Sequence, residues 1–278
     1  MQIRQALEQA TQRLHKHEQP RLDAEVLLAH VLNKPRSYLH AWPEAELSND
    51  QEARFLVCIE QRAEGQPVAY LTGCREFWSL DLEVTPDTLI PRPETELLVE
   101  QALTLLPENA SLRVADFGTG SGAIAIALAH ERRHWQLYAV DRSLESTRLA
   151  RRNAQRLGIH NLSLFSGNWS QAVASQYLDA MVSNPPYVAD TDPHLQQGDV
   201  RFEPSTALAA GPLGLNDLEL LIEDAPRVLK PGGWVLLEHG LNQAEQVRIL
   251  LKNRNLINVS TTRDLAGLDR VSCAQKPA

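Results

Sequence analysis

The first part of the chain has the hydrophobic spacing of amphipathic helices. Two apolar stripes recur at every third or fourth position, and Ser48 with Gln51 then matches the capping box that begins a helix. The apolar positions are Ile3, Ala6, Leu7, Ala10 and Leu14, then Leu22, Val26, Leu27 and Val31, and after the capping box Phe55, Leu56 and Ile59. These patterns predict a small helical bundle within residues 1–64.

The pattern then changes to the two-residue period of strands. Apolar and polar residues alternate between Gly73 and Val84, which predicts a strand or a hairpin. A proline-punctuated stretch, I-P-R-P-E-T-E, follows and turns into a helix with Pro93 near its first turn and acids where the helix dipole favours them. We therefore expect a helical N-terminal domain for substrate recognition (residues 1–72), a connector (73–92) and a larger domain (93–278).

From about residue 111 onward, short apolar runs alternate with segments of helical spacing. Lys230-Pro231-Gly232-Gly233 is typical of a helix end and predicts that the fifth strand begins at Trp234. The predicted strands are 113–117, 136–141, 162–165, the run ending at Asn184, 234–238, and two near 257–262 and 270–274. This alternation predicts an α/β fold with a mostly parallel, doubly wound sheet and helices on both faces.

Composition narrows the class of protein. The chain has 278 residues, 43% of them hydrophobic, with no apolar run long enough to cross a membrane and no signal-peptide pattern after Met1. We expect a cytoplasmic monomer. The three cysteines are widely spaced and form no C-x-x-C pair, so neither a disulfide framework nor a thiolate zinc site is indicated. A net charge of −8 argues against nonspecific attraction to nucleic acid.

The loop Gly118-Thr119-Gly120-Ser121-Gly122 leaves a predicted strand and enters a predicted helix. Its backbone can approach a ligand closely, and its N–H groups and the helix dipole face outward. Asp141 ends the next strand, where a carboxylate can accept both ribose hydroxyls of an adenosine-containing cofactor, although helix capping would also explain it. The spacing G-x-G-x-G lacks the third glycine of the dinucleotide fingerprint, so S-adenosylmethionine, which has no phosphate, fits better.

Asn168 and Trp169 follow the third predicted strand of the sheet. If Asp141 holds a ribose, the adenine lies at this edge, where Trp169 can stack on or flank the ring. A half-buried tryptophan that anchors the loop is an equally good interpretation.

The tetrapeptide Asn184-Pro185-Pro186-Tyr187 directly follows the fourth predicted strand. Two prolines stop the strand and stiffen the loop. The side-chain oxygen of Asn184 and the backbone carbonyl of Pro185 are neighbouring acceptors, and Tyr187 offers an aromatic face. Together they fit a planar NH2 group, with a rigid turn and a packing tyrosine as the structural alternative.

These motifs, in this order along one sheet, resemble those of class I S-adenosylmethionine-dependent methyltransferases, and more narrowly the bacterial release factor glutamine methyltransferases. The resemblance rests on I-P-R-P-E-T-E, D-F-G-T-G-S-G, V-S-N-P-P-Y and H-L-Q-Q-G-D-V-R-F-E-P. It implies a Rossmann-like sheet of seven strands with the last one antiparallel, and methylation of N5 of the glutamine in the Gly-Gly-Gln motif of class 1 peptide chain release factors.

By position, the resemblance assigns several residues. Gly118 to Gly122 and Asp141 would hold the cofactor, and Trp169 would border its adenine. Asn184 would lie between cofactor and substrate, and Asn184 to Tyr187 would hold the glutamine. Asn168 departs from the family pattern, in which an acidic residue commonly precedes this position and accepts from the adenine amino group.

Three alternatives stay open at this point. A nucleic-acid methyltransferase acting on N6 of adenine or N4 of cytosine would need the same acceptors, because those bases carry the same planar NH2 group. A zinc hydrolase is suggested only by His130-Glu131-Arg132-Arg133-His134, which has the letters H-E-x-x-H. We expect His134 at or past the end of its helix, and therefore no metal site. A nonenzymatic binding module is disfavoured because both the glycine loop and the acceptor pair are intact.

Overall fold

The computed structural model describes all 278 residues, and the chain divides into two units. Unit 1 consists of Met1–Cys74 and Gly198–Phe202, and unit 2 of Arg75–Gln197 and Glu203–Ala278. A short segment from the second half of the chain therefore belongs to the N-terminal unit. None of the helices is both long enough and apolar enough to span a membrane.

Unit 1 contains five helices, and most residues of the predicted apolar stripes form its core. Leu22 and Val26 are the exceptions in the second stripe: they are only half-buried, and Ala24 and Leu28 are buried in the core instead. The capping box is present, with the Ser48 hydroxyl accepting from the Gln51 N–H at 3.2 Å and the Gln51 side chain accepting from the Ser48 N–H at 2.9 Å. Leu56 was expected on the buried face but is 45% exposed, because the buried face of the helix is formed by Phe55, Ile59 and Arg62. The helices are α1 (Ile3–Arg13), α2 (Pro20–Leu32), α3 (Arg36–Ala41), α4 (Asn49–Ala63) and α5 (Val68–Thr72).

The segment Gly198–Phe202 is joined to unit 1 by a buried arginine. Arg62 of α4 donates through Nε to Asp23 at 2.8 Å and through Nη1 to Asp199 at 2.6 Å and to the Gln66 carbonyl at 3.0 Å. Only 8% of Arg62 is exposed. A buried guanidinium requires such acceptors, so the partly exposed Asp199 supplies unit 1 with a partner that Arg62 needs.

Unit 2 begins with the predicted hairpin and continues with a seven-stranded sheet. Its helices and strands are β1 (Cys74–Phe77), β2 (Leu80–Glu83), α6 (Glu96–Leu105), β3 (Arg113–Phe117), α7 (Ala123–Glu131), β4 (Gln136–Asp141), α8 (Leu144–Arg156), β5 (Leu162–Ser166), β6 (Leu178–Ser183), α9 (Asn216–Val228), β7 (Leu229–Glu238), α10 (Ala244–Asn253), β8 (Ile257–Arg263) and β9 (Asp269–Gln275).

The sheet has the order β5-β4-β3-β6-β7-β9-β8, with β9 antiparallel to both of its neighbours and every other pairing parallel. Successive residues of β6 point to opposite faces: Val182 packs with α6, α7 and α8, and Met181 with α9 and α10. The mostly parallel sheet with helices on both faces is therefore confirmed.

The prediction for Lys230–Gly233 is wrong in one respect. The helix α9 ends at Val228 with an extended cap residue, and β7 begins immediately at Leu229. The register against β6 shifts between Leu178 and Ala180, so the proline and glycines form an irregularity within the strand. Glycines were interpreted as a helix stop, but here they give the strand a bulge.

Candidate active site

A cleft opens in unit 2 at the carboxyl ends of β3, β4, β5 and β6. This is the edge where ligands bind in open parallel sheets. The lining residues from the sequence prediction are Gly118, Thr119, Gly120, Ser121, Asp141, Asn168, Trp169, Asn184 and Pro186; Gly122, Pro185 and Tyr187 are not among the lining residues.

The glycine loop follows β3 closely around the end of β4. The N–H groups of Gly118 and Thr119 both donate to the Val140 carbonyl, at 2.8 and 3.1 Å. Gly118 has a φ of +74°, and a Cβ there would lie 3.1 Å from the Trp169 ring. A side chain at residue 118 would therefore be in tight contact with the tryptophan ring, which would have to move by a few tenths of an ångström.

Replacing Gly118 by alanine is expected to weaken cofactor binding severalfold, because the new methyl group displaces the Trp169 ring as well as straining the backbone. Gly158→Ala is a matched control, since Gly158 has a φ of +67° and no atom lies within 4 Å of the point that its Cβ would occupy. Both variants are expected to lose about 1 kcal/mol of stability, and calorimetric titration with S-adenosylmethionine should separate them. Equal affinities in the two variants would contradict the role of the Trp169 contact.

Asp141 connects the glycine loop to the helix that follows β4. Its Oδ2 accepts from the Gly120 N–H at 2.9 Å and its Oδ1 from the Ser143 N–H at 2.8 Å. Burial raises the pKa of this carboxyl, and the two backbone hydrogen bonds oppose that shift. Ser143, not Asp141, caps α8 by accepting from the Ser146 N–H. Each oxygen of Asp141 still has a lone pair for a ligand hydroxyl.

Asp116, at the end of β3, is a second acid under the loop. It is fully buried, accepts from the Thr119 hydroxyl at 2.6 Å and the Ala125 N–H at 3.3 Å, and its Oδ1 has no partner within the protein. Burial raises its pKa to about 7, from an ordinary value of 3.8. It supports the loop from beneath and does not line the cleft.

The raised pKa of Asp116 predicts a pH effect on stability. The folded state binds the proton more tightly than the unfolded state, so this stabilisation is fully present below about pH 4 and is lost as the pH rises through about 7. One such group changes the free energy of unfolding by about 1.4 kcal/mol per pH unit within that window. In Asp116→Asn, the free energy of unfolding measured by urea denaturation should decline less steeply with rising pH than in the wild type. Asp81→Asn, which replaces an exposed acid, is the control. An unchanged decline would contradict the raised pKa.

Trp169 is half-buried and has a φ of +45°. Burial raises the pKa of Asp217, and the Arg142 charge and a hydrogen bond from Trp169 oppose that shift. Part of the tryptophan packs with the core formed by α9 and α10, and the residue also lines the cleft. Asn168 lies beside it and is exposed. Trp169 therefore anchors its loop and lines the cleft at the same time, so the two interpretations do not exclude each other.

The loop after β6 presents the predicted pair of acceptors. Asn184 uses its Nδ2 group to donate to the Thr95 hydroxyl at 3.0 Å, and no protein group donates to its Oδ1 or to the Pro185 carbonyl. The Ser183 hydroxyl donates to the Phe117 carbonyl at 2.6 Å, which ties the end of β6 to that of β3. Both oxygens are thus left without a donor; Asn184 lines the cleft together with the glycine loop, whereas Pro185 is buried and is not among the lining residues.

Tyr187 is held through both its hydroxyl and its backbone carbonyl. Its hydroxyl donates to Glu238 at 3.2 Å, and its carbonyl accepts from Gln243 Nε2 at 3.0 Å. Burial and the Glu238 charge raise the pKa of Tyr187. Burial likewise raises the pKa of Glu238 to about 7, from an ordinary value of 4.5. The tyrosine is therefore a neutral, fixed side chain at neutral pH.

Several cleft residues were not identified from the sequence. Arg92 and Thr95 lie in I-P-R-P-E-T-E, which was interpreted only as a connector and helix start, and Thr206 lies in the long loop after Tyr187. Arg92 forms an ion pair with Glu203, whose other oxygen accepts from the Ile90 N–H at 3.2 Å. For Arg92, Thr95 and Glu203 the sequence offered one signal. They lie in I-P-R-P-E-T-E and H-L-Q-Q-G-D-V-R-F-E-P, two stretches that resemble the family pattern.

The H-E-x-x-H letters do not form a metal-binding helix face. The helix α7 ends at Glu131, so His134 lies beyond it, as expected. Glu131 accepts from the Trp78 indole at 2.8 Å, and His134 contacts the Glu108 carbonyl. No group of three or more His, Cys, Asp or Glu side chains is arranged to hold a metal ion.

Two family models match the chain. Residues 5–73 match the PrmC N-terminal domain, and residues 93–202 match the methyltransferase small domain. The second match spans the glycine loop, Asp141 and the Asn184–Tyr187 loop.

Curated proteins similar to this chain extend over nearly its full length. The chain is 46% identical over 275 residues to the release factor glutamine methyltransferase of Salmonella typhimurium, covering 99% of both chains, and 47% identical over 272 residues to that of Escherichia coli, covering 98% of both. Among solved structures, a methyltransferase from Pyrococcus furiosus is similar in fold, with a TM-score of 0.55, 20% identity, and coverage of 83% of this chain and 100% of that one.

Proposed function

The chain belongs to the family of release factor glutamine methyltransferases, and from that premise we propose how its own residues carry out the reaction. The enzyme transfers a methyl group from S-adenosylmethionine to the side-chain amide nitrogen of a glutamine in a release factor. We assign that glutamine to the Gly-Gly-Gln motif of class 1 peptide chain release factors. The roles of individual residues of this chain are part of the proposal.

The cleft residues suit S-adenosylmethionine. Gly120 has open space where a side chain would be, so its backbone can approach the cofactor without steric hindrance. The Ala125 N–H in the first turn of α7 donates to Asp116, whereas the N–H groups of Ala123 and Ile124 have no acceptor within the protein. These two groups and the helix dipole are left for the carboxylate of the cofactor. Asp141 would accept from the ribose hydroxyls, and Trp169 would border the adenine. Bound S-adenosylmethionine supplies an electrophilic methyl group on a sulfonium.

The observation that carries the proposed mechanism is the free pair of acceptors after β6. If Asn184 Oδ1 and the Pro185 carbonyl each accept one N–H of the substrate amide, they fix the orientation of its nitrogen. An amide nitrogen is a weak nucleophile because its lone pair is delocalised, so this positioning is a large part of catalysis. The same two oxygens stabilise positive charge that develops on the nitrogen.

The rigid surroundings of the pair support this role. Two buried prolines keep the loop stiff, and Tyr187, held by Glu238 and Gln243, limits movement of the amide plane. A nitrogen–carbon bond forms as the sulfur–carbon bond of the donor breaks, and the amide proton leaves to water because the motif contains no general base.

We assign recognition of the release factor to unit 1. Residues 5–73, which make up most of this unit, match the PrmC N-terminal domain, and the predicted cofactor and acceptor residues all lie in unit 2. We further propose that the enzyme acts as a monomer in the cytoplasm, without direct contact to nucleic acid.

The test is a transfer assay with labelled S-adenosylmethionine and a release factor, with and without replacement of the Gln in its Gly-Gly-Gln motif by Ala. We expect label in the unaltered release factor and none in the altered one. Label in both would show that a different residue of the release factor accepts the methyl group. Label in DNA but not in release factor would instead support the nucleic-acid alternative, which needs the same acceptors for a planar NH2 group.

A further inference from the structure

Gln243 lies where three loops of unit 2 meet. Its Oε1 accepts from the Gly240 N–H at 2.9 Å. Its Nε2 lies 3.0 Å from the Tyr187 carbonyl oxygen and 3.1 Å from those of Leu213 and Gly214. Gly240 follows β7, whereas Leu213 and Gly214 lie at the end of the long loop that begins after Tyr187. One side chain therefore joins both ends of that loop to the turn between β7 and α10.

The partners of Gln243 fix the orientation of its amide. A backbone N–H only donates and a backbone carbonyl only accepts, so Oε1 faces Gly240 and the NH2 group faces the three carbonyls. With the amide reversed, two donors would face each other at Gly240, and the oxygen would face three acceptors. The side chain therefore serves as a donor toward Tyr187 in one orientation only.

Two glycines leave the room that Gln243 and Tyr187 need. Gly214 has a φ of +69°, and a Cβ there would overlap with the Tyr187 carbonyl oxygen and lie 3.0 Å from Gln243 Nε2. At Gly240 a Cβ would lie 3.0 Å from Gln243 Oε1 and 3.6 Å from a ring carbon of Tyr187. A side chain at residue 214 would therefore displace the Tyr187 carbonyl from the Gln243 amide.

We propose that Gln243 is a positioning residue for methyl transfer, because it holds the backbone of Tyr187 against the end of the loop that follows. This inference rests on the function proposed above. Asn184 and Pro185, which supply the two acceptors, belong to the same short loop as Tyr187, so a shift of the Tyr187 backbone moves the ring and the acceptors together. Gln243 does not line the cleft and acts on the substrate only through Tyr187.

A role of the Gln243 side chain in starting α10 is not supported by its contacts. Gln243 occupies the N-cap position of α10, where a polar side chain commonly accepts from the helix backbone, but it makes no such capping hydrogen bond. All of its side-chain hydrogen bonds go to backbone groups that precede the helix. Replacing the side chain therefore removes contacts between loops and leaves the helix cap as it is.

The experiment compares Gln243→Glu with the wild type in the release factor transfer assay. Glutamate has nearly the same shape and keeps the oxygen that accepts from Gly240, but its second oxygen faces three carbonyls and repels them. We expect kcat to fall about tenfold to a hundredfold, the range for a misplacement of up to about 1 Å. The KM for the release factor and the affinity for S-adenosylmethionine by calorimetry should stay within about threefold.

Gly214→Ala tests the same placement with Gln243 intact. Its methyl group displaces the Tyr187 carbonyl, so kcat should fall in the same range, again without weaker cofactor binding.

Two matched controls accompany the variants. Gln246→Glu makes the same chemical change at an exposed position of α10. Gly232→Ala has the same kind of backbone strain, with a φ of +77°, but no atom lies within 4 Å of the point that its Cβ would occupy. Both controls should keep kcat. Gln243→Met, which removes the donors without adding a charge, replaces Gln243→Glu if circular dichroism shows that the glutamate variant does not fold.

Full kcat in either folded variant, beside a strong loss in Asn184→Ala, would overturn the inference while leaving the proposed function intact. A loss that is confined to KM or to cofactor affinity would overturn it too, since Gln243 would then act on binding and not on the placement of the substrate amide. An equal fall of kcat in the matched controls would have the same meaning. No transfer by the wild type would refute the proposed function itself.

Discussion

Replacing Asn184 by alanine is expected to lower kcat about a hundredfold to a thousandfold, while the affinity for S-adenosylmethionine changes by less than about threefold. The substitution removes one of the two oxygens that are free to accept from the substrate amide, and it leaves the glycine loop and Asp141 untouched. Because the lost hydrogen bond is strongest when charge develops on nitrogen, the effect belongs mainly to kcat.

Single-turnover transfer to a release factor and calorimetric titration with the cofactor measure the two quantities separately. Asn253→Ala, at the exposed end of α10, is a suitable control and should behave as the wild type. A kcat within about threefold of wild type in a folded Asn184→Ala protein would contradict the proposed role of the amide oxygen.

Asp141→Asn is expected to weaken S-adenosylmethionine binding about tenfold to a hundredfold, the range for losing hydrogen bonds to a charged acceptor. An amide has one acceptor oxygen where the carboxylate has two, and its NH2 group faces either the Gly120 or the Ser143 N–H. The ribose hydroxyls lose acceptors, and the glycine loop loses part of its attachment to β4. At saturating cofactor, kcat should recover to within about threefold, because Asp141 does not contact the substrate amide.

Calorimetry and the dependence of rate on cofactor concentration test this expectation. Asp81→Asn replaces an exposed acid of β2 and should leave both quantities unchanged. Normal cofactor binding by Asp141→Asn would contradict the proposed role of Asp141 and would indicate that the ribose lies elsewhere in the cleft.

Local sequence patterns predicted most of the fold. The capping box of Ser48 and Gln51 is present, and the strand β4 begins and ends at the residues that its apolar run indicated. Alternation along a buried strand and capping at a helix start are short-range effects, so the sequence around them contains the information. Lys230–Gly233 was misinterpreted because the same residues suit a helix end and a bulge, and only the pairing with β6 decides between them.

The residues of the candidate site likewise fall into those that the local sequence could predict and those that it could not. Gly118–Gly122, Asp141 and Asn184 could be proposed from the sequence because each follows directly from the strand that positions it. The hydrogen bond between Asn184 and Thr95 joins residues that are far apart in the chain, and no local pattern predicts which side chains will meet across the ends of different elements. Arg92 and Glu203 were missed for the same reason.

The division of the chain into two units has a consequence for evolution and engineering. The polypeptide passes between the units three times, at 74/75, 197/198 and 202/203. A chimaera that joins residues 1–74 of one relative to the remainder of another therefore combines Arg62 and Asp23 from one parent with Asp199 from the other. Where the second parent lacks an acid at this place, a buried guanidinium loses an acceptor. The N-terminal unit is thus exchangeable only together with a five-residue segment encoded far downstream.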